Sequence, residues 1–277
     1  MPLSINTNIA SMTAQRSFFN SNSSLEQAFE RLSTGKRVNS AVDDAAGLAI
    51  GKDLESRVSG LNQAVRNVND GISMVQILEG AYDEVTTIVQ RMRDLAVQAA
   101  NESLSSTERA YLDSEQAKLV TALDSVMDQA KFGNVDLATG STVNVTIHSG
   151  AEAADTITLA MTTASNDNAD ALSIDAADIV LTTTAGATSA IGDLDTALNT
   201  IAAQRATLGS QQSQLESVVR NLANVAENTA AAAGRIMDTD YAAETANLTK
   251  AQILQQAATS ILAQANAQPQ AVLSLLQ

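Results

Sequence analysis

The sequence predicts a mainly α protein, an elongated antiparallel helical bundle and coiled coil formed by both ends of the chain, with a small β-hairpin-containing region between them. Three observations carry that expectation. Positions 54, 58, 61, 65, 68, 72 and 75 read Leu, Val, Leu, Val, Val, Ile and Val, an alternation of four and three that is a heptad seam. A second seam returns far downstream as Ile191, Leu194, Leu198, Ile201, Arg205, Leu208, Gln212, Leu215, Val219, Leu222 and Ala226. Between them, from Gly140 to Ala190, the chain has no Lys or Arg, six acids, and many Thr, Ala and Ser, so that stretch forms a unit of its own.

The first seam slips once, through Leu78 and Tyr82 near Gly71 and Gly80, and resumes as Val85, Val89, Met92, Ala96 and Ala99. A short phase shift alters the winding of a coil without ending it. Taken as one helix, Leu54 to Ala99 is about 69 Å long at about 1.5 Å per residue, against a radius of gyration near 19 Å for a compact chain of this size. An elongated molecule is expected.

Composition narrows the function. Only 3% of residues are aromatic and there is no Trp, so the core is aliphatic and alanine-based. The two prolines, Pro2 and Pro269, stand near the ends and leave long helices uninterrupted. A formal charge of -15 argues against nucleic acid, whose phosphates need a basic face. Absence of cysteine removes disulfides and thiol chemistry. No basic leader, signal-length apolar run or membrane span is read, so membrane insertion is not expected, and the protein either stays inside or leaves by a route that reads no cleavable signal.

In chain order, residues 1–40 carry Ile5, Ile9, Met12 and Phe19, then Phe18, Leu25, Phe29 and Leu32 in a shifted frame, as short amphipathic helices do. STGKRVNS reads as a turn, with Ser40 and Asp43 as a capping box and Asp43 and Asp44 in the first turn of the long helix. A helix starting near Ser106 buries Leu112, Leu119, Leu123, Val126 and Met127. VNVTIHSG and DTITLAMTT alternate apolar with polar residues and turn at Gly150 to Ala154 as a hairpin, with a further strand at Asp178 to Thr182. Arg205 and Gln212 break the second seam, either fixing its register or lying at the bundle edge. Tyr241 to Gln277 has only Glu244 and Lys250 as charges, with Leu248, Ile253, Leu254, Ile261, Leu262, Leu273 and Leu276, and needs a partner.

Little here can build a catalyst. His148 is the only histidine, which excludes a His-Glu-x-x-His zinc site. Asp238 and Asp240 in RIMDTDY are the nearest approach to paired carboxylates, and such neighbours more often cap a helix or pair with a base such as Arg235. No cofactor is expected, and an interaction protein is.

The two ends resemble bacterial flagellin. INTNIASMTAQR, LSTGKRVNSAVDDAAGLAIG and NDGISMVQILEGAYDEVTTIVQRMRDLAVQAAN carry the resemblance at the start, and RIMDTDYAAETANLTKAQILQQAATSILAQANAQPQAVLSLLQ at the end. It implies a structural subunit, not an enzyme, exported unfolded through the filament channel and polymerising into an extracellular flagellar filament for motility. It implies a coiled coil of residues 1–40 and 236–277 lining that channel, a helical bundle of 41–139 and 191–235 with a short hairpin, and a short acidic, β-rich region, 140–190, facing solvent, so that a tag near Asp167 is tolerated. FGNVDL departs from the family's usual Asn-Gly order, and Gly234 stands where longer polar side chains are common.

The resemblance implies partners too: further copies of the chain, an export chaperone at the C-terminal segment, hook-junction and cap proteins, and a toll-like receptor contacting Gln90, Arg91, Leu95 and Glu115. The residues expected to drive assembly are Ile5, Ile9, Met12, Phe19, Leu25, Phe29, Leu32, Leu248, Leu254, Ile261, Leu262, Leu273 and Leu276. Two alternatives stand beside this reading, a hook-filament junction protein and a secreted receptor-binding module.

Overall fold

The computed structural model describes residues 7–138, 143–161, 174 and 179–274, without the side chains of 143, 161 and 268–274. In order, the described elements are α1 (Ile9–Thr34), α2 (Ala45–Ala99), α3 (Ser106–Asp128), the strands β1 (Lys131–Phe132), β2 (Val135–Asp136), β3 (Val143–His148) and β4 (Thr156–Met161), then α4 (Thr184–Met237) and α5 (Tyr241–Ser274). The mainly α architecture with a small antiparallel strand region agrees with the expected fold class. Two compact units share these elements. One comprises residues 57–227, the other 1–56 with 228–277.

In the 57–227 unit, the heptad positions of α2 and α4 face one aliphatic core. Val68, Val75, Leu78, Val85, Val89 and Met92 meet Leu194, Ile201, Leu208 and Leu215 in it, all buried. From Val85 onward α2 buries a second row, Ile88, Leu95 and Ala99, because it is covered on two flanks. On one flank Arg93 pairs with Asp195 of α4 at 2.6 Å, and Arg205 of α4 pairs with Asp83 at 3.0 Å. On the other, Arg91 pairs with Glu115 of α3 at 2.7 Å. Arg205 therefore resolves its place in the seam: its stem packs inward while its guanidinium reaches the acids of α2.

Local chemistry sets the helix ends. Ser105 and Glu108 form a full capping box at the start of α3. Arg109 then donates to the Ala99 and Asn101 carbonyls, satisfying acceptors at the end of α2. The expected capping box at Ser40 takes another form. Helix α2 begins at Ala45, the Asp44 carboxylate accepts from the Gly47 amide, and Asp43 lies in the turn before the helix. There Asp43 accepts from the Asn39 and Ser40 amides, which shapes the turn and leaves capping to its neighbour. Helix α4 begins at Thr184, inside the stretch read as the acidic region, with Thr183 accepting from the Gly186 amide.

Two antiparallel hairpins join the helices of this unit. In β1–β2, Gly133 takes a left-handed φ of 58°, so the Gly-Asn order supplies the glycine at the first loop position, where it is needed. In β3–β4, Val145 faces Leu159 and Ile147 faces Ile157 on the inner side, with Ile147 and Leu159 buried. Asn67 of α2 donates to the His148 carbonyl and Gln211 of α4 to the Ala160 carbonyl. Gly71 lies against Ile147, where any Cβ would collide. The strand expected at Asp178 to Thr182 does not form over 179–182, and Asp178 lies outside the described residues. Ile179 and Leu181 are buried either side of exposed Val180, which explains the alternation, but the Leu181 amide donates to the Asp113 carboxylate of α3 and not to a ladder.

Candidate functional site

The 1–56/228–277 unit is built on one antiparallel helix pair. Asn8 donates to the Ala265 carbonyl at 2.8 Å, Ser11 to Asn266 at 2.7 Å, and Gln255 to Asn22 at 3.1 Å, while Arg31 faces Glu244 at 3.8 Å. These contacts run α1 and α5 in opposite directions over the full length of α1.

The burial pattern along the pair is a heptad of small residues. On α1 the inward positions are Ser11, Ala14, Phe18, Ser21, Leu25, Ala28 and Leu32, and on α5 Glu244, Leu248, Ala251, Gln255, Ala258, Leu262 and Ala265. Ser11, Ala14 and Ala28 are buried, as are Ala251, Ala258 and Ala265, spaced seven apart. Small seam residues let the axes approach toward the lower end of the usual 8–10 Å range. The larger seam residues, Phe18, Leu25, Leu32, Leu248 and Leu262, are only half-buried between them.

That outcome divides the residues expected to drive assembly. Leu25, Leu32, Leu248 and Leu262 are half-buried within the seam. Ile9, Met12, Phe19 and Phe29 of α1 and Leu254 and Ile261 of α5 lie outside it, between 47% and 69% exposed. From Ile9 to Thr34 the chain is one helix and not several short ones; of the two expected frames, Phe18, Leu25 and Leu32 of the second lie in the seam with Ser11, Ala14, Ser21 and Ala28, while Ile9, Met12, Phe19 and Phe29 do not. Ile5 and Leu276 lie outside the described residues, as does the side chain of Leu273.

A clasp closes one end of the pair. Helix α1 stops at Gly35, whose φ of 71° is left-handed and whose Cα faces the Tyr241 hydroxyl so closely that a Cβ would stand 2.9 Å from it. Lys36 and Asp238 form an antiparallel bridge, the Thr239 amide donates to the Gly35 carbonyl, and the Arg37 guanidinium donates to the Ile236 carbonyl. Val38 is completely buried beneath this exchange. Lys36 also reaches Glu55 at 2.7 Å, which Lys52 contacts from the other side, and the two cations hold the Glu55 carboxyl down to about 2. Asp240 accepts from the Ala242 and Ala243 amides, capping α5. The pair of acids in RIMDTDY thus serves backbone structure.

Of the residues expected to meet a receptor, Gln90, Arg91 and Glu115 are exposed, with Arg91 and Glu115 in contact. Leu95 is not on that surface. It is 1% exposed, because the α3-covered flank of α2 takes Ile88, Leu95 and Ala99 inward. Among the described residues no group of three His, Cys, Asp or Glu side chains is placed to hold a metal ion, and no helix is long and apolar enough to cross a membrane.

Helices from opposite ends of one chain, paired through a seam of small residues with large apolar side chains left outside, define a subunit of a helical assembly. The N-terminal helical region of bacterial flagellin matches residues 5–137 and its C-terminal helical region residues 191–276. A flagellin of Halalkalibacterium halodurans is 41% identical over 99% of both chains. Flagellin A of Vibrio anguillarum is 34% identical over all of both chains, across 379 aligned positions, more than the 277 residues present here, as a reduced central region requires. A solved structure of a proposed flagellar hook-associated protein from Vibrio parahaemolyticus shares the fold, covering 71% of this chain and all of its own with a TM-score of 0.59 at 16% identity. The chain belongs to the bacterial flagellin family, and it is a subunit of the flagellar filament.

Proposed function

We propose that this filament subunit polymerises through the outward apolar faces of α1 and α5, and that the chain ends become ordered only as neighbouring copies cover them. The set Ile9, Met12, Phe19, Phe29, Leu254 and Ile261 carries this reading, since these side chains are apolar and exposed on one helix pair. Amphipathic helices without a partner for such a set are marginal in water. Residues 1–40 and 236–277 then act as the terminal coiled coil, 41–139 and 191–235 as the bundle and 140–190 as the outward region, with a tag at Asp167 leaving assembly intact. A cysteine-free chain carries no cross-link against being threaded unfolded through the channel to an extracellular tip. An export chaperone covers α5 before export, and hook-junction and cap proteins contact the same ends of the filament. Gln90, Arg91 and Glu115 form a receptor contact of their own, which Arg91→Glu weakens in a toll-like-receptor reporter assay without unfolding the subunit.

Hydrogen exchange tests the central point. Residues 7–40 and 242–267 exchange rapidly in the monomer and slowly in the filament, and removing residues before Ser40 and after Ile236 leaves a folded helical core that does not polymerise. Slow exchange at both ends of a verified monomer overturns coupled folding and assembly.

A further inference from the structure

Val42 is the most exposed large apolar side chain among the described residues, at 96%, and the turn that carries it is rigidly built. The Asp43 carboxylate accepts from the Asn39 amide at 3.2 Å and from the Ser40 amide and hydroxyl at 3.0 Å each, and Gln27 of α1 donates to its other oxygen at 3.2 Å. The Asn39 side chain donates to Glu30 of α1 at 2.6 Å, and Asp44 caps α2. Bonds on both sides of Val42 hold it outward from its own helix pair. Once α1 is in place, these bonds fix the turn and present Val42 at its tip.

The same unit offers a complementary surface. An apolar groove of about 590 Å³ runs between α1 and α5, lined by Ile9, Thr13, Ala14, Leu254, Ala258 and Ile261. It meets, at Ser21 and Leu254, a polar groove of about 370 Å³ that contains Lys250. Lys250 is the only basic residue of α5, is exposed, and has no ion pair among the described residues. One turn from Leu254 on the same face of α5, it stands where an acidic neighbour of a bound apolar tip would lie.

We propose that Val42 of one subunit seats against Leu254 of a second copy, which brings the negative charge of the Asp43–Asp44 turn beside Lys250 of that copy. The tip and groove are different surfaces of one chain, so the contact is head-to-tail, the kind that propagates into a filament when its rotation closes no ring. It rests on the α1–α5 pair being the assembly surface and names one docking point on it.

The chain has no cysteine, which makes a cross-link unambiguous. Subunits carrying Val42→Cys and subunits carrying Leu254→Cys are mixed, seeded into filaments with wild-type subunits and oxidised. Disulfide-linked dimers of the two variants are expected in filaments and absent from the unpolymerised mixture. Filaments without such dimers, or equal dimer formation without polymerisation, overturn the contact. Separately, Val42→Ser raises the critical concentration for assembly about tenfold or more while Val42→Ile leaves it near wild type. Equal critical concentrations for all three overturn it as well. Failure of the wild-type subunit itself to polymerise when seeded counts instead against the assembly reading.

Discussion

The two units spend their apolar residues in opposite ways. In the 57–227 unit, Leu78, Met92, Leu95, Leu123, Leu194 and Ile201 are all at most 1% exposed, and charged side chains hold its flanks together. In the other, the buried seam positions are alanines, a serine and Glu244, Phe18 and four leucines are only half-buried between them, and Phe19 and Phe29 stay outside. The first can satisfy its hydrophobic residues within one chain. The second cannot, which ties its stability to the presence of further copies.

Paired truncations test this division most strongly. Leu95→Ala opens a cavity in a fully packed core and should lower monomer stability by about 2–5 kcal/mol, read as a fall in thermal midpoint. Phe19→Ala, 69% exposed in the monomer, should change that midpoint by no more than about 0.5 kcal/mol yet slow polymerisation markedly. A large monomer effect at Phe19 would erase the contrast.

A smaller effect is expected at the hairpin. Gly71→Ala sets its methyl against the terminal Cδ1 of Ile147, which must turn aside, and should cost about 1 kcal/mol, with the loss confined to faster hydrogen exchange in β3–β4 if the hairpin yields before the helices. Gln116→Leu should act in the opposite direction. Its side chain is 1% exposed, and neither amide atom has a hydrogen-bond partner among the described residues, so an apolar replacement of similar size should stabilise by about 1 kcal/mol in the same melting experiment.

The smallest expected effect concerns pH. Glu55 is held at about 2 in the folded chain by Lys36 and Lys52, against an ordinary value of 4.5, so its contribution is present above about 4.5 and is lost as pH falls toward 2. The pair is well solvated, which keeps the contribution below about 1 kcal/mol. Glu55→Gln should remove that share of the acid sensitivity, measured as the difference between the two proteins' stabilities at pH 7 and pH 3. Identical pH dependence in both would mean the clasp at Lys36 gains nothing from this carboxylate.

The same contrast explains what could be read from residues alone. The α2 and α4 seams are written in Val, Ile and Leu, and those positions are buried or half-buried. The α1–α5 seam alternates Ala and Ser with Phe18, Leu25, Leu32, Leu248 and Leu262, and a search for large apolar side chains finds only the second set. Its signal was present as Ala251, Ala258 and Ala265 at intervals of seven, with Ser11, Ala14, Ser21 and Ala28 in the matching frame. Leu95 was misplaced because a single seam says nothing of a second neighbour, and only the fold brings α3 onto that flank. The hairpin β1–β2, two residues per strand, is too short for any periodicity, and Gly133 was its one local mark. For Val42, nothing in the apolar pattern distinguishes a residue held out on a turn from one that begins a core.

The β3–β4 hairpin is fastened in an uncommon way. Two of its polar anchors, Asn67 to the His148 carbonyl and Gln211 to the Ala160 carbonyl, grip main-chain atoms, Arg57 of α2 faces Glu152 in its turn at 3.9 Å, and Ile147 and Leu159 are its buried side chains. The opposite face, with Asn144, Thr146, His148, Thr156 and Thr158, is exposed. A scaffold that holds the strands by the backbone and the inner face leaves the residues of that face free to be exchanged one after another, so its chemistry can diverge over generations while the path of the strands stays the same.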